Sequence, residues 1–511
     1  MNTITNNYLS NINYIKELYS SDKSKDLIIR NFNVLVNNKR YNSCIVYFDG
    51  MADTALINDF ILKPLMLRNT ATSYDSTNEP PALQSTSNEN LSSTIYNKLL
   101  PQIATTTVKS YDEITSAINM GNCVLIIDTL DTAFDLDVKG FKQRAISSPS
   151  NEIVVRGSQE AFVENLRTNT SILRRLSNTE HLILEGMKIG KITKTQVCIG
   201  YIDGIVNPGL VSEIKRRLKG ISVDYLTSSG QLEQLIPDNP NSIFPQIIAT
   251  ERPDKVINYL FDGRACIIVN GSPYVLVLPG VFLDFLSSSE DLNLKFHFSN
   301  LGKIIRLLAV FFAILLPGMY IAITNYHHDL IPTELLFTIA ASRESVPFPT
   351  VIEILLMEIS FELIREAGLR VPTPLGTTIG IVGALILGDA AVSASLVSPI
   401  LIIIVAITGI CSFSIPDFSL NFTFRICRFA YIILGYAAGF LGIGIGIFIQ
   451  LSYMCSLESF GAQYLNPSLI KKRSISNYFV LPIWKRERVS SFTNPAQESI
   501  QEKISMKWRK K

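Results

Sequence analysis

Three glutamates, Glu358, Glu362 and Glu366, recur every four residues in "VIEILLMEISFELIREAGL", Val351 to Leu369. That spacing puts their carboxylates on one helical face with Ile and Leu opposite. A row of acids on a helix wall is suited to attracting cations into a shared conduit. The same residues also allow a local reading at an interface, in which Glu362 pairs with Arg365 and Glu366 with Arg370, each pair worth roughly 0.2–0.5 kcal/mol. The segment that follows, "GTTIGIVGALILGDAAVSASLVSP", weighs toward the conduit. It is rich in small residues, Gly376, Gly380, Gly383, Gly388, Ala390 and Ala391, and holds one acid, Asp389. An unpaired carboxylate among lipid tails costs roughly 2.5–3.5 kcal/mol even on a lenient scale, so Asp389 is expected to face water or a partner. Two readings stand: a pore helix in which Asp389, Val382 and Leu385 line the passage, or a helix contact made through a protonated Asp389.

Other residue patterns suggest chemistry and then lose it in context. Asp49 and Asp203 each end an apolar strand, but both precede glycine, and Asp-Gly is what a tight turn requires. His327-His328-Asp329 has metal-ligand residue types, yet it follows directly on an apolar span and reads as an interfacial loop. "GFLGIGIGIF" lies inside an apolar stretch, so Gly435, Gly439, Gly442 and Gly446 read as a helix face that admits a close neighbour, with no nucleotide loop implied. Cys44, Cys123, Cys198, Cys266, Cys411, Cys427 and Cys455 contain no CxxC and are odd in number. They read as small apolar residues in a reducing compartment. With no GxSxG, no Walker loop and no clustered metal ligands, the expectation is a protein without enzymatic activity, cofactor, metal or nucleic-acid partner.

These residues are carried by a chain whose second half is built for a bilayer. "LLAVFFAILLPGMYIAIT", Leu307 to Thr324, approaches the length that crosses a ~30 Å hydrocarbon core at about 1.5 Å per residue. Further crossings are expected near 376–392, 398–415 and 430–452, with 332–367 partly interfacial or re-entrant. Residues 466–511 hold 11 Lys and Arg against 3 Glu, a net +8, which leaves −6 for the rest of a chain of overall charge +2. Such a tail belongs on the cytoplasmic side, beside anionic lipid. Within it Ile500, Ile504 and Trp508 recur every four residues among Lys503, Lys507 and Lys510, either as a surface-lying helix or as a disordered basic tail. Four crossings keep head and tail together but strand Arg425 and Arg428 on the far side.

The first half reads as two related lobes. "CIVYFDGMADTALINDFILKPLM" from Cys44 matches "CIGYIDGIVNPGLVSEIKRRLK" from Cys198, and "GNCVLIID" from Gly121 matches "GRACIIVN" from Gly263. The matching blocks are 74 residues apart between Tyr47 and Gly121 and 62 between Tyr201 and Gly263, and the polar, Pro-Pro-containing stretch 69–93 accounts for the excess as a disordered insertion. Asn270-Gly271 between apolar runs marks a hairpin, and Pro253 a helix start. The expected fold is therefore an α/β two-lobed soluble N-terminal region followed by an α-helical multi-span membrane domain. Its parts are a polar segment 1–24, lobe one 25–150, lobe two 151–295, a transmembrane domain 296–465 and a basic cytoplasmic tail 466–511. No N-terminal signal pattern is evident, so the head is expected in the cytoplasm.

A series of stretches then carries a family resemblance: "VRGSQEAFVENLRTNTSILRR", "DNPNSIFPQIIATERPDKV", "IPTELLFTIAASRESVPFP", "EILLMEISFELIREAGLRVPTPLG", "IVGALILGDAAV" and "SFGAQYLNP". In this order, from about Val154 to Pro467, the chain resembles the A subunit of the GerA-type spore germinant receptor family. The resemblance implies a multi-pass protein of the spore inner membrane with its N-terminal domain cytoplasmic. It further implies partnership with a transporter-like B subunit that senses nutrient and a lipoprotein C subunit, and assembly as a homo-oligomeric ring, a pentamer, that passes monovalent cations when nutrient binds. The family pattern "IGQAAVEA" appears here with Asp389 and Ser393 in place of its Gln and Glu, which moves the carboxylate by one helical turn. A stage V sporulation paralogue that amplifies ion release, or a non-conducting membrane scaffold, are the alternative roles. A secondary transporter is disfavoured because the internal repeat lies in the head.

Overall fold

The computed structural model describes residues 3–36, 39–66, 105–140, 151–370 and 388–465, with isolated positions between 92 and 100 and at 149 and 479. The insertion 69–93 apart from Ser92, the tail 466–511 apart from Phe479, and the positions Val382 and Leu385 lie outside these residues. The chain forms two compact units. Among the described residues, one comprises Met1–Pro237 and Ala249–Pro279, and the other is built on Asp238–Ile248 and residues 280–465.

The first unit repeats one topology twice. Its first lobe runs α1 (Tyr8–Leu18), β1 (Leu27–Val36), β2 (Lys39–Phe48), α2 (Thr54–Leu56, continued as a π-helical turn Ile57–Leu62), β3 (Thr105–Val108), α3 (Tyr111–Asn119), β4 (Cys123–Ile127) and β5 (Ala133–Leu136). The second runs α4 (Leu166–Ser177), β6 (Leu182–Ile189), β7 (Thr195–Ile202), α5 (Pro208–Gly220), a short helix Ser229–Leu235, β8 (Ile248–Thr250), α6 (Pro253–Phe261), β9 (Ala265–Val269) and β10 (Val275–Leu278). The sheets have strand orders β1-β2-β4-β5-β3 and β6-β7-β9-β10-β8, the same order in each lobe. The pairs β1–β2, β2–β4, β4–β5 and β3–β5, and likewise β6–β7, β7–β9 and β9–β10, are antiparallel. The short connections β1–β2 and β4–β5 leave no room for the crossover that parallel neighbours need.

Period-two alternation gives the central strands β2 and β4 of lobe one two buried faces. Cys44, Val46, Phe48, Val124 and Ile126 pack with Ile12, Ile15, Ile114 and Ile118 of α1 and α3. Ile45, Leu125, Ile127 and Phe134 point the other way and pack with Ile57, Ile61 and Leu62 of α2. Strands buried on both sides explain the unbroken apolar runs "CVLII" and "ACIIV", both buried throughout. Burial pushes the Cys44 and Cys266 thiols up to about 12, so these cysteines behave as small apolar groups. Cys455, by contrast, is exposed.

Both Asp-Gly pairs form turns, with Gly50 at φ 88° and Gly204 at φ 77°. Asp49 N–H donates to Asp26 O and Asp203 N–H to His181 O, each at 2.8 Å. Asp49 also pairs with Arg167 of α4 across the lobes. The hairpin at Asn270-Gly271 forms with Val275 opposite Ile268. Its connection spans the five residues between Val269 and Val275, because Pro273 has no N–H to offer a ladder.

The lobes are joined by an ion pair whose arginine is buried. Arg174 of α4 donates to Asp26 at the start of β1 through Nε (2.7 Å) and Nη2 (3.0 Å), and through Nη1 to Leu182 O (2.5 Å). Its guanidinium also lies 4.2 Å from the centre of the Phe48 ring.

The second unit is helical: α7 (Phe296–Tyr326), α8 (Thr333–Arg343), α9 (Thr350–Arg370), α10 (Pro399–Phe413) and α11 (Phe418–Ser456), ending in a small hairpin of β11 (Glu458–Ser459) and β12 (Ala462–Gln463). Among the described residues α7 and α11 are long and apolar enough to cross a membrane, and α10 is a shorter apolar helix.

The expected single crossing at 430–452 is corrected. α11 breaks at Ala438 (φ −144°, ψ 18°) and Gly439 (φ 60°, ψ −140°), a conformation that only glycine adopts without strain. Tyr326 Oη donates to Tyr436 O (2.7 Å), one of the carbonyls released by the break. The two halves fold back on each other: Tyr431 Oη donates to Gln450 Oε1 at 2.6 Å, and a Cβ on Gly446 would lie 2.9 Å from the Tyr431 ring.

Candidate functional site

α9 lies between α10 and the first half of α11, and its direction follows from its contacts. Glu353 Oε2 accepts from Ser398 N–H (3.2 Å) while, further along, Arg365 Nη2 donates to Ser412 Oγ (2.5 Å), so α9 runs parallel to α10. Glu358 meets Arg428 and Glu362 meets Arg425, so α9 runs antiparallel to the first half of α11.

The result is a ladder of acids and arginines inside the bundle. Arg428 Nη1 lies 2.5 Å from Glu358 Oε2, with side chains 1% and 0% exposed. Arg428 Nε donates to Ala313 O of α7 at 2.9 Å, which ties a third helix to the pair. One turn along, Glu362 bonds Arg425, lies 3.5 Å from Arg365 Nη1, and comes within 4.0 Å of Arg428 Nη1. Arg365 is sandwiched between the Phe361 and Phe413 rings, 4.9 and 4.8 Å from their centres. Glu358 Oε1, Glu362 Oε1, Arg428 Nη2 and Arg365 Nε are buried without a hydrogen-bond partner, so the ladder is tightly held but incompletely satisfied. Glu366, one turn further, is exposed beside Arg425 and lines a groove of about 400 Å³ with Ile359, Leu363, Phe422, Ile426 and Phe429.

The local ion pairs expected for Glu362 and Glu366 are not the main contacts of the acids of α9. Its acids at 358 and 362 point into the bundle, and their main partners lie 70 and 63 residues away. The Glu362–Arg365 contact exists but is secondary, and the side chain of Arg370 lies outside the described residues. Arg425 and Arg428, which hydropathy left stranded on the far side, are the groups the sequence reading missed as partners. The available signal was two arginines in an apolar run with no place to go.

Asp389 lies elsewhere. It is exposed at the end of the small-residue segment and has no ion pair among the described residues. The four glycines do not share one continuous face. Gly435 backs onto α7, where an added Cβ would lie 2.5 Å from Gly318 O, and Gly439 forms the break. Gly442 and Gly446 accept the first half of α11 itself. Gly435→Val is expected to destabilise the bundle by about 1–3 kcal/mol through overpacking, read as a lower thermal midpoint of the detergent-solubilised chain. An unchanged midpoint would remove Gly435 as a close-approach site. His327 and His328 sit at a short 3₁₀ turn, and no group of three or more His, Cys, Asp or Glu able to hold a metal occurs among the described residues.

Comparison with known proteins gives consistent matches. A sequence profile described as "Bacillus/Clostridium GerA spore germination protein" matches residues 13–491. Spore germination protein KA of Bacillus subtilis (strain 168) is 37% identical over 467 residues, 91% of this chain and 83% of that one. Spore germination protein GerLA of Bacillus cereus is 40% identical over 358 residues, covering 70% and 73%. Among solved structures, the N-terminal domain of the A subunit of the Bacillus megaterium spore germinant receptor GerK3 aligns at 33% identity with a TM-score of 0.40, covering 55% of this chain and 97% of that chain.

Proposed function

The chain belongs to the GerA family of spore germination proteins, and from that premise we propose that it is the A subunit of a nutrient-responsive germinant receptor whose helical units assemble into a cation conduit. Its partners are a transporter-like B subunit that binds the nutrient, a lipoprotein C subunit and further copies of itself in a homo-oligomeric ring, a pentamer. Its location is the spore inner membrane with the head in the cytoplasm.

The observation that carries the conduit is the contrast between acids. Glu358 and Glu362 are neutralised by arginines of their own chain, whereas Asp389 is exposed with no such partner among the described residues. In a bilayer an exposed, unpaired carboxylate is tolerated only against water or a neighbouring subunit, and a ring of such residues around an axis provides both. Glu366, exposed near the end of its helix, Val382 and Leu385 are proposed as further residues lining the same passage.

The folding back of α11 supports a tail on the same side as the head. Both halves of α11 are apolar, and Tyr464 O, beyond its end, accepts from Phe282 N–H (3.1 Å), ahead of α7. A hairpin that crosses twice returns the chain to the side where α7 begins. This arrangement keeps the +8 tail and the head together without exposing Arg425 and Arg428.

Gating follows as a population shift: nutrient on the B subunit favours an open ring only as far as it binds that state more tightly. The test is ion current across a bilayer holding the full chain with B and C subunits and a panel of nutrients. Nutrient-dependent cation current is expected, and Asp389→Asn is expected to lower preference for cations over anions severalfold while abundance is unchanged. Current that ignores nutrient would favour the amplifying paralogue, silence from an intact oligomer a scaffold, and an unchanged preference in Asp389→Asn would remove Asp389 from the passage.

A further inference from the structure

Among the described residues the chain passes between its two compact units three times, after Pro237, after Ile248 and after Pro279. Within the helical unit, the residues next to all three passages are bonded to one hairpin. Asp238 Oδ2 accepts from Phe460 N–H (2.6 Å), and Gln246 O accepts from Ser459 Oγ–H (2.6 Å). Gly280 N–H is shared between Gln246 O (3.1 Å) and Ser459 Oγ (3.2 Å), and Phe282 N–H reaches Tyr464 O (3.1 Å). Gln246 in turn closes on Asn239 through both ends of its amide, at 3.0 and 3.2 Å.

The hairpin is built to be held. It turns through Phe460 (φ 49°) and Gly461 (φ 79°), a two-residue turn that needs positive φ at both positions, and phenylalanine adopts that conformation only at a cost. The bond from Phe460 N–H to Asp238 holds the strained residue in place. Ser459 and Tyr464 are fully buried, and the Tyr464 ring packs among Phe244, Phe282 and Phe285 with centres 6.1–6.3 Å apart. Gly280 fits because any Cβ there would lie 2.8 Å from Gln246 O.

We infer that the β11–β12 hairpin is a clasp that gathers these three covalent paths between the two units and fixes them to the end of α11. Ser459 and Asp238 are its positioning residues. A displacement of any one passage is delivered to the last turn of α11, which ends at Ser456, three residues before Ser459. The coupling role rests on the gating reading above, but the clasp itself does not.

The experiment uses the full chain and two readouts. Amide hydrogen exchange at Gly280, Phe282, Phe460 and Tyr464 is expected to accelerate together, about tenfold or more, in Ser459→Ala and in Asp238→Ala. Asp238→Asn, which keeps an acceptor for Phe460 N–H, should stay near the parent rate, and β9 amides should be unaffected in every variant. Acceleration confined to the hairpin would overturn the clasp. In bilayers with B and C subunits, the loosened variants are expected to need severalfold more nutrient for the same cation current at equal abundance. A parental nutrient response alongside loosened exchange would overturn the coupling role. A parent chain that shows no nutrient-dependent current would instead refute the gating reading and leave the exchange result to judge the clasp.

Discussion

Arg428→Ala should lose about 3–5 kcal/mol of stability, because it strands the Glu358 carboxylate at a site that is 0% exposed. The same change deletes the bond to Ala313 O, so α7, α9 and α11 loosen together. Most of that loss comes from the uncompensated charge, and the pair itself contributes little net stability over an apolar substitute. The double variant Glu358→Leu/Arg428→Met should therefore recover most of what either single change removes. Thermal unfolding of the solubilised chain and its abundance in the membrane would measure both. A neutral Arg428→Ala, or a double variant no better than the singles, would show that the buried pair is not the organising contact of the bundle. If the double variant is stable yet its current no longer responds to nutrient, the ladder also has a part in gating.

A comparable loss, about 3–5 kcal/mol, is expected for Arg174→Ala in the head. Arg174 is 3% exposed, forked onto Asp26 and stacked on Phe48, and it donates to Leu182 O, so its removal leaves a carboxylate that is only 14% exposed and a buried carbonyl without their donor. Arg174→Lys should rescue only a small part, since an ammonium cannot reproduce the two-pronged bond or the ring stacking. The Arg167–Asp49 pair joins the same two lobes but is half exposed, and Arg167→Ala should change stability by less than about 1 kcal/mol. Denaturant titration of the three variants separates these cases. Equal effects from Arg167 and Arg174 would mean that burial does not set the strength of the lobe contact.

How much of this was readable in advance differs by element. The Asp-Gly turns, the hairpin at Asn270-Gly271 and the helix start at Pro253 were legible because each depends on the φ range or missing N–H of residues at the spot. The pairing of "CIVYFDG" with "CIGYIDG" pointed to a repeat, and the common strand order of the two sheets is its structural counterpart. The acids of α9 were noticed, but their partners were not, since a helical period says which face carries charge and nothing about what lies opposite. The four glycines of α11 misled in a similar way: on a straight helix they form a stripe, yet Gly439 takes a non-helical conformation and the stripe is divided between two neighbours.

The sequence by itself determined the local terms: which runs are apolar enough for strands or long helices, where turns must fall, and which charges burial would make expensive. Only the tertiary structure decided how those charges are met. Glu358 finds Arg428 across 70 residues, Asp26 finds Arg174 across 148, and Ser459 finds Gln246 across 213. The physical reason is that the cost of burying a polar group is a property of the residue, whereas its compensation depends on which distant surfaces pack together, and that is settled by the summed fit of the whole unit.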